Sequence, residues 1–267
     1  MKPVSDIVAL PSITGLLTGH DGMVVVAGSH GGVLAARIAA ANTIRAVILN
    51  DAGIGLDRAG IAGLTVLESV GMAAAAVDYR SARIGDGAHM LARGVISHVN
   101  ALAQALGVET GMPTAEAAWR LRAAALPAQR HARPESRPLL LSRLPRRPDV
   151  WGMDSASDIS SALDGAIVVT GSHGGLPGGD PKAALRCAAR AVLFNDAGIG
   201  MDEAGVGRLA VLATQGIAAA VVDAMTARIG DARSTWETGI VSRVNATAKE
   251  SGAAPGMSAR DFSALFR

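Results

Sequence analysis

Ala46-Val-Ile-Leu-Asn50-Asp51-Ala-Gly53-Ile-Gly55-Leu-Asp57-Arg-Ala-Gly60 returns as Ala191-Val-Leu-Phe-Asn195-Asp196-Ala-Gly198-Ile-Gly200-Met-Asp202-Glu-Ala-Gly205. Eleven of the fifteen positions are identical, and the Asn-Asp pair is among them, which makes it a candidate for a site as well as for a fold. An apolar run that halts at Asn-Asp and breaks into Gly-x-Gly reads as a buried strand feeding a loop, with a helix after it. Asp57 and Asp202 stand where that helix takes its N-cap.

Outward from this stretch the repetition continues. Val24-Val-Val-Ala-Gly28-Ser29-His30-Gly31-Gly32 returns as Val168-Val-Thr-Gly171-Ser172-His173-Gly174-Gly175 at an offset of 143. Arg83-Ile-Gly85-Asp86 returns as Arg228-Ile-Gly230-Asp231, and Ser97-His-Val-Asn100 as Ser242-Arg-Val-Asn245, at an offset of 145. A period this long is a duplicated domain and not a solenoid. Within each copy β-branched or Ala-rich runs alternate: a strand over 22–27, a helix over 33–42, a strand over 45–49, a helix closed by Gly71, a strand over 72–77 and a last helix from Gly94 to Leu106.

The fold class is therefore α/β: tandem duplicated Rossmann-like β-α-β-α-β-α halves, a three-layer sandwich with a mainly parallel sheet. Residues 1–116 form the first repeat, 117–150 a connector and 151–267 the second repeat. Three strands alone leave two edges open, which favours joining the halves into one sheet over two separate layers.

Composition narrows the class. Half the chain is hydrophobic but only 3% is aromatic, which suits small residues packed between helices and a parallel sheet. The formal net charge is only +2. The lone cysteine, Cys187, sits in a pattern that reads as helix and has no internal disulfide partner. No apolar stretch reaches membrane-spanning length, and the N-terminus has an acid and a proline where a signal peptide needs an apolar core. The expectation is a cytoplasmic protein that does not enter a membrane. The connector carries Arg130, Arg133, Arg137, Arg143, Arg146 and Arg147 among prolines. Without interleaved aromatics it reads as a solvated linker in preference to a nucleic-acid arm.

Chemistry is expected at the carboxyl ends of the parallel strands, where open α/β sheets bind ligands. Ser29, His30, Gly31 and Gly32, with Ser172, His173, Gly174 and Gly175, form turns whose glycines let a backbone approach a ligand, ahead of helix amides suited to an anion. Gly32 runs into its helix uncapped, whereas Asp180 and Pro181 read as the cap and first residue of the second copy's helix. His30 and His173 suit acid–base chemistry. Asp51 and Asp196 suit a base, a partner that orients histidine or a divalent-metal ligand, or else an Asx turn that satisfies loop amides, and Asn50 and Asn195 beside them are candidates to contact substrate. Arg83 and Arg228 clamp a carboxylate or phosphate, or brace their loops against Asp86 and Asp231. Ser97 with Asn100, and Ser242 with Asn245, fall on one helical face and read as anchors from behind.

Asn50-Asp51-Ala-Gly53 resembles the opening Asn-Asp-Asp-Gly of the stationary-phase-survival nucleotidases, over about a dozen residues. That family's second metal-binding Asp is replaced by Ala52 and Ala197, and its later motifs are missing, so its activity is not carried over. The functional expectation is an enzyme acting on a small carboxylate- or phosphate-bearing metabolite, a hydrolase or lyase working through His and Asp. The alternative is a non-catalytic small-molecule-binding or regulatory protein built from the same loops. Cofactor identity and oligomeric state, a homo-oligomer included, stay open.

Overall fold

Each repeated apolar run becomes a central strand of a sheet, and the chain builds two such sheets. The computed structural model describes residues 6–267. They divide into two units: unit 1 runs to Gly53, resumes over Ala59–Pro134 and takes in Gly200–Asp202, and unit 2 comprises Ile54–Arg58, Glu135–Ile199 and Glu203–Arg267.

Unit 1 follows the order β1 (Ile7–Leu10), β2 (Val24–His30), α1 (Val33–Ala40), β3 (Ala46–Asn50), α2 (Gly63–Ser69), β4 (Ala73–Val77), α3 (Gly87–Arg93), β5 (Ile96–Val99), α4 (Ala101–Ala105) and α5 (Thr114–Leu121). Its sheet runs β1-β2-β3-β4-β5. The first four strands are parallel, with Val24 opposite Ala46 and Ala46 opposite Ala73, and β5 is antiparallel to β4. Alternate residues Val24, Val26, Ile48 and Ala75 pack with Met90 of α3 and Leu121 of α5. Strand β4 is almost all alanine, a weak strand former, and is held by its two neighbours and by burial on both faces.

Unit 2 follows with β6 (Leu139–Ser142), β7 (Val150–Met153), β8 (Ile167–His173), β9 (Ala191–Asn195), α6 (Arg208–Thr214), β10 (Ala218–Val222), α7 (Ala232–Thr238), β11 (Val241–Val244), α8 (Ala246–Glu250) and α9 (Ala259–Ala264). Its sheet runs β11-β10-β9-β8-β7-β6, parallel from β7 to β10 and antiparallel at both edges. The period-two alternation separates two cores. Ile167, Val169 and Val222 face Phe262 of α9, whereas Val168, Val192 and Val221 face Leu209 and Leu212 of α6. Helices thus cover both faces, as the fold class requires.

Several expectations are corrected. The halves do not join into one sheet: β1 and β7 add a parallel strand to each sheet, and β5, β6 and β11 add antiparallel ones, so the sheets grow from local chain instead of sharing an edge. Residues 94–106 are not one helix. Ile96–Val99 pairs with β4, and Asn100 then caps α4 through its side chain, which accepts from Ala103 N–H. Asp57 and Asp202 are not helix caps; both lie at φ +53, and α2 and α6 start without a side-chain cap. Asp180 does cap, but only a single 3-10 turn, Pro181–Ala183, and Cys187 lies outside any helix. Residues 117–150 contain most of α5 and all of β6, leaving 122–138 without helix or strand. Among the described residues, no helix is long and apolar enough to cross a membrane.

Candidate functional site

The strand order fixes where a site belongs. After β9 the chain passes to α6 on one face, and after β10 to α7 on the other, so the outgoing loops part between the carboxyl ends of β9 and β10. Asp196 is the first residue beyond β9. Unit 1 has the same order of elements from β3 onward, and Asp51 follows β3 in the same way.

Both carboxylates are buried and held by donors. Asp51 Oδ1 accepts from Gly53 N–H at 3.2 Å and Tyr79 N–H at 3.0 Å, and the Ser97 hydroxyl adds a further bond. Asp196 Oδ1 accepts from Gly198 and Ala224 N–H at 2.9 and 3.0 Å, and Ser242 Oγ donates to Oδ2 at 2.7 Å. Burial pushes both carboxyls above the usual range, with the hydroxyl and amide bonds opposing that rise in part. In unit 1 the Ser97 hydroxyl also lies 3.1 Å from His98 Nδ1; unit 2 has Arg243 at that place.

The loop they hold is strained. Ala52, Gly53, Ile54 and Gly55 all have φ between +51 and +71, and Ala197 to Gly200 repeat the run. A β-branched residue in the left-handed region is rare and costly, on the order of 1–3 kcal/mol. Asn50 Oδ1 and Asn195 Oδ1 pin these loops by accepting from Ala52 and Ala197 N–H, each at 2.9 Å. Their amides donate to Ala82 and Ala227 carbonyls across the neighbouring loop.

His30 is opposite Asn50 in the register of β2 and β3, so it lies at the same rim as Asp51. Its Nδ1 accepts from Gly32 N–H at 3.1 Å, and burial lowers its pKa to about 4. The ring is therefore neutral near pH 7 with its proton on Nε2, a hydrogen-bond donor. His173 is buried at the matching place on β8. Ser29 and Ser172 tie down the preceding turns, accepting from Ile13 and Ala156 N–H.

The glycines meet backbone. A Cβ on Gly31 would come within 2.6 Å of Gly60 O, and one on Gly174 within 2.7 Å of Gly205 O. Gly32 leaves no more room, with Ala59 O at 2.9 Å. At Gly175 the carbonyl accepts from Arg208 Nε at 3.0 Å.

Arg208 was invisible to sequence reasoning. Buried beside Phe194, its guanidinium also donates to Ala183 and Ala184 carbonyls, and burial first, then Arg186, lowers its pKa to about 10. It caps the irregular segment that unit 2 has in place of α1, at a position where unit 1 has Gly63.

The arginines pair with partly or largely exposed aspartates. Arg83 is half-exposed and pairs with Asp202 at 3.2 Å within unit 1, while Asp86 is engaged as the cap of α3. Arg228 pairs with Asp57 at 3.0 Å and Asp231 at 3.3 Å within unit 2, and Asp231 also caps α7. Among the described residues no three His, Cys, Asp or Glu side chains are placed to hold a metal ion. The groups aimed at Asp51 and Asp196 are hydrogen-bond donors, the wrong polarity for a cation's neighbours. Ser97, Ser242 and His98 are the site residues missed as such; Val95-Ile-Ser-His-Val99 has no period-two alternation to mark a strand.

Comparison with protein-family models, with curated proteins and with solved structures gave no match.

Proposed function

We propose that the chain is an acid–base enzyme, a hydrolase or lyase acting on a small carboxylate- or phosphate-bearing metabolite at the carboxyl ends of its parallel strands. The observation that carries this reading is the strained left-handed run after Asp51 and again after Asp196, each bound to a buried carboxyl at the point where outgoing loops part. Strain of this kind persists only where surroundings over-determine it, and it clusters at functional sites. Asp51, favoured in its protonated form by burial, delivers a proton to the departing group and recovers one afterwards. His30 offers Nε2–H to the developing negative charge instead of acting as base. Arg83 and Arg228 attract the anion, and Asp196 and His173 do in unit 2 what Asp51 and His30 do in unit 1. The two units descend from one duplicated ancestor.

A second reading, a non-catalytic binding module, draws on the fact that the hydrogen bonds of Asp51 go to its own loops and to Ser97. A panel of small carboxylates and phosphate esters, read by thermal shift with and without Mg²⁺ or Mn²⁺, finds the ligand. Chemical change of a stabilising compound supports the enzyme; binding with no change of any compound supports the module.

A further inference from the structure

Unit 2 carries a cleft of about 430 Å³ walled by Leu141 and Ser142 of β6, Trp236 of α7, Arg260 and Ala264 of α9, and Arg267. It lies away from the Asp196 loop, at the other end of the sheet: Ser142 is opposite Val150, Val150 opposite Ile167, and Ile167 opposite Ala191, the first residue of β9. Its volume falls within the range typical of small-molecule sites, ~300–1,000 Å³.

A comparison between the units shows what the cleft lacks. Arg267, just beyond α9, occupies the place that Arg122 occupies beyond α5, and Asp149 precedes β7 as Asp6 precedes β1. In unit 1, Arg122 Nε and Nη2 both donate to Asp6 Oδ2, at 3.2 and 3.0 Å. In unit 2 that carboxylate is taken by another arginine. Arg143, from the turn after β6, donates through Nε to both Asp149 oxygens at 3.2 Å and through Nη2 at 2.9 Å. Among its described residues unit 1 has no strand equivalent to β6 and no competitor of this kind.

The result is that Nε and Nη2 of Arg267 are buried without a hydrogen-bond partner, while Arg147 Nη1 holds its main-chain oxygen at 2.8 Å. Buried donors are nearly always satisfied, and these two form the fork that matches a carboxylate. Arg260 lies 5.5 Å from the centre of the Trp236 ring and brings a second cation to an aromatic wall.

We propose that this cleft binds a small molecule bearing a carboxylate on a planar apolar body. The carboxylate meets Arg267 as Asp6 meets Arg122, and the body lies against Trp236, Leu141 and Ala264. This site is independent of the function proposed above.

Calorimetric titration of the full chain with benzoate, and with benzamide as its uncharged counterpart, tests it. Benzoate is expected to saturate and to bind at least about tenfold more tightly than benzamide. Arg267→Gln should reduce benzoate to the benzamide level, with the thermal melt reporting that the fold is kept. Arg143→Ala, at a position that is not itself part of the cleft wall, frees Asp149 to pair with Arg267 and should weaken benzoate in the same way. Benzoate that fails to saturate below about 10 mM, that binds no better than benzamide, or that binds both variants as it binds the parent chain overturns the proposal.

Discussion

His30 ties the protein's stability to pH in one direction. Its folded pKa, about 4, lies below the unfolded value of 6.5, so protons bind the unfolded chain more readily. Its contribution is complete above about pH 6.5, falls as pH drops from there to about 4, and totals ~3 kcal/mol across that window. Asp51 and Asp196 act in the opposite sense, because their raised pKa values favour the folded state as they take up protons. Urea melts between pH 7 and pH 4 should therefore show a slope that His30→Asn removes, the Asn oxygen still accepting from Gly32. At Gly28 the constraint is steric. An added Cβ would lie 2.4 Å from Asp86 N, a backbone atom, so Gly28→Ala should cost ~1–3 kcal/mol or more in the same melts.

At the scale of elements, Arg208 does for unit 2 what α1 does for unit 1. Arg208→Met removes the guanidinium that lies over Phe194 and strips donors from three carbonyls, and a loss of ~3 kcal/mol is expected by thermal or chemical denaturation. The central strands were legible because their apolar runs end in Asn-Asp or Ser-His-Gly-Gly, and those endings are what the register aligns. The edge strands were not. Ile7–Leu10 is four half-buried residues too short to show a period, and Ile96–Val99 sits between glycine and a capping Asn in a window that also suits a helix. Asp57 looked like a cap by spacing, but a left-handed backbone and a charge partner, Arg228, decided its role. Ser97 could not be assigned to Asp51 until β5 was known to pair with β4.

For the whole molecule, residues 122–138 are the longest run without helix or strand, and most of them are exposed. Trypsin should cut first after Arg130, since Arg133 and Arg137 each precede proline; digestion followed by mass spectrometry reads this directly. The same stretch ends in β6, so the arginine-rich segment read as a linker supplies a strand and the Arg143 that occupies Asp149.

The central proposition is that chemistry occurs at the buried aspartates where the outgoing loops part. Turnover of a panel compound by the parent chain and by the Asp51→Asn, Asp196→Asn double variant, at matched binding, decides it. A fall in kcat of at least about 100-fold with KM little changed is the expected result. Undiminished kcat in a double variant that folds and binds would contradict it.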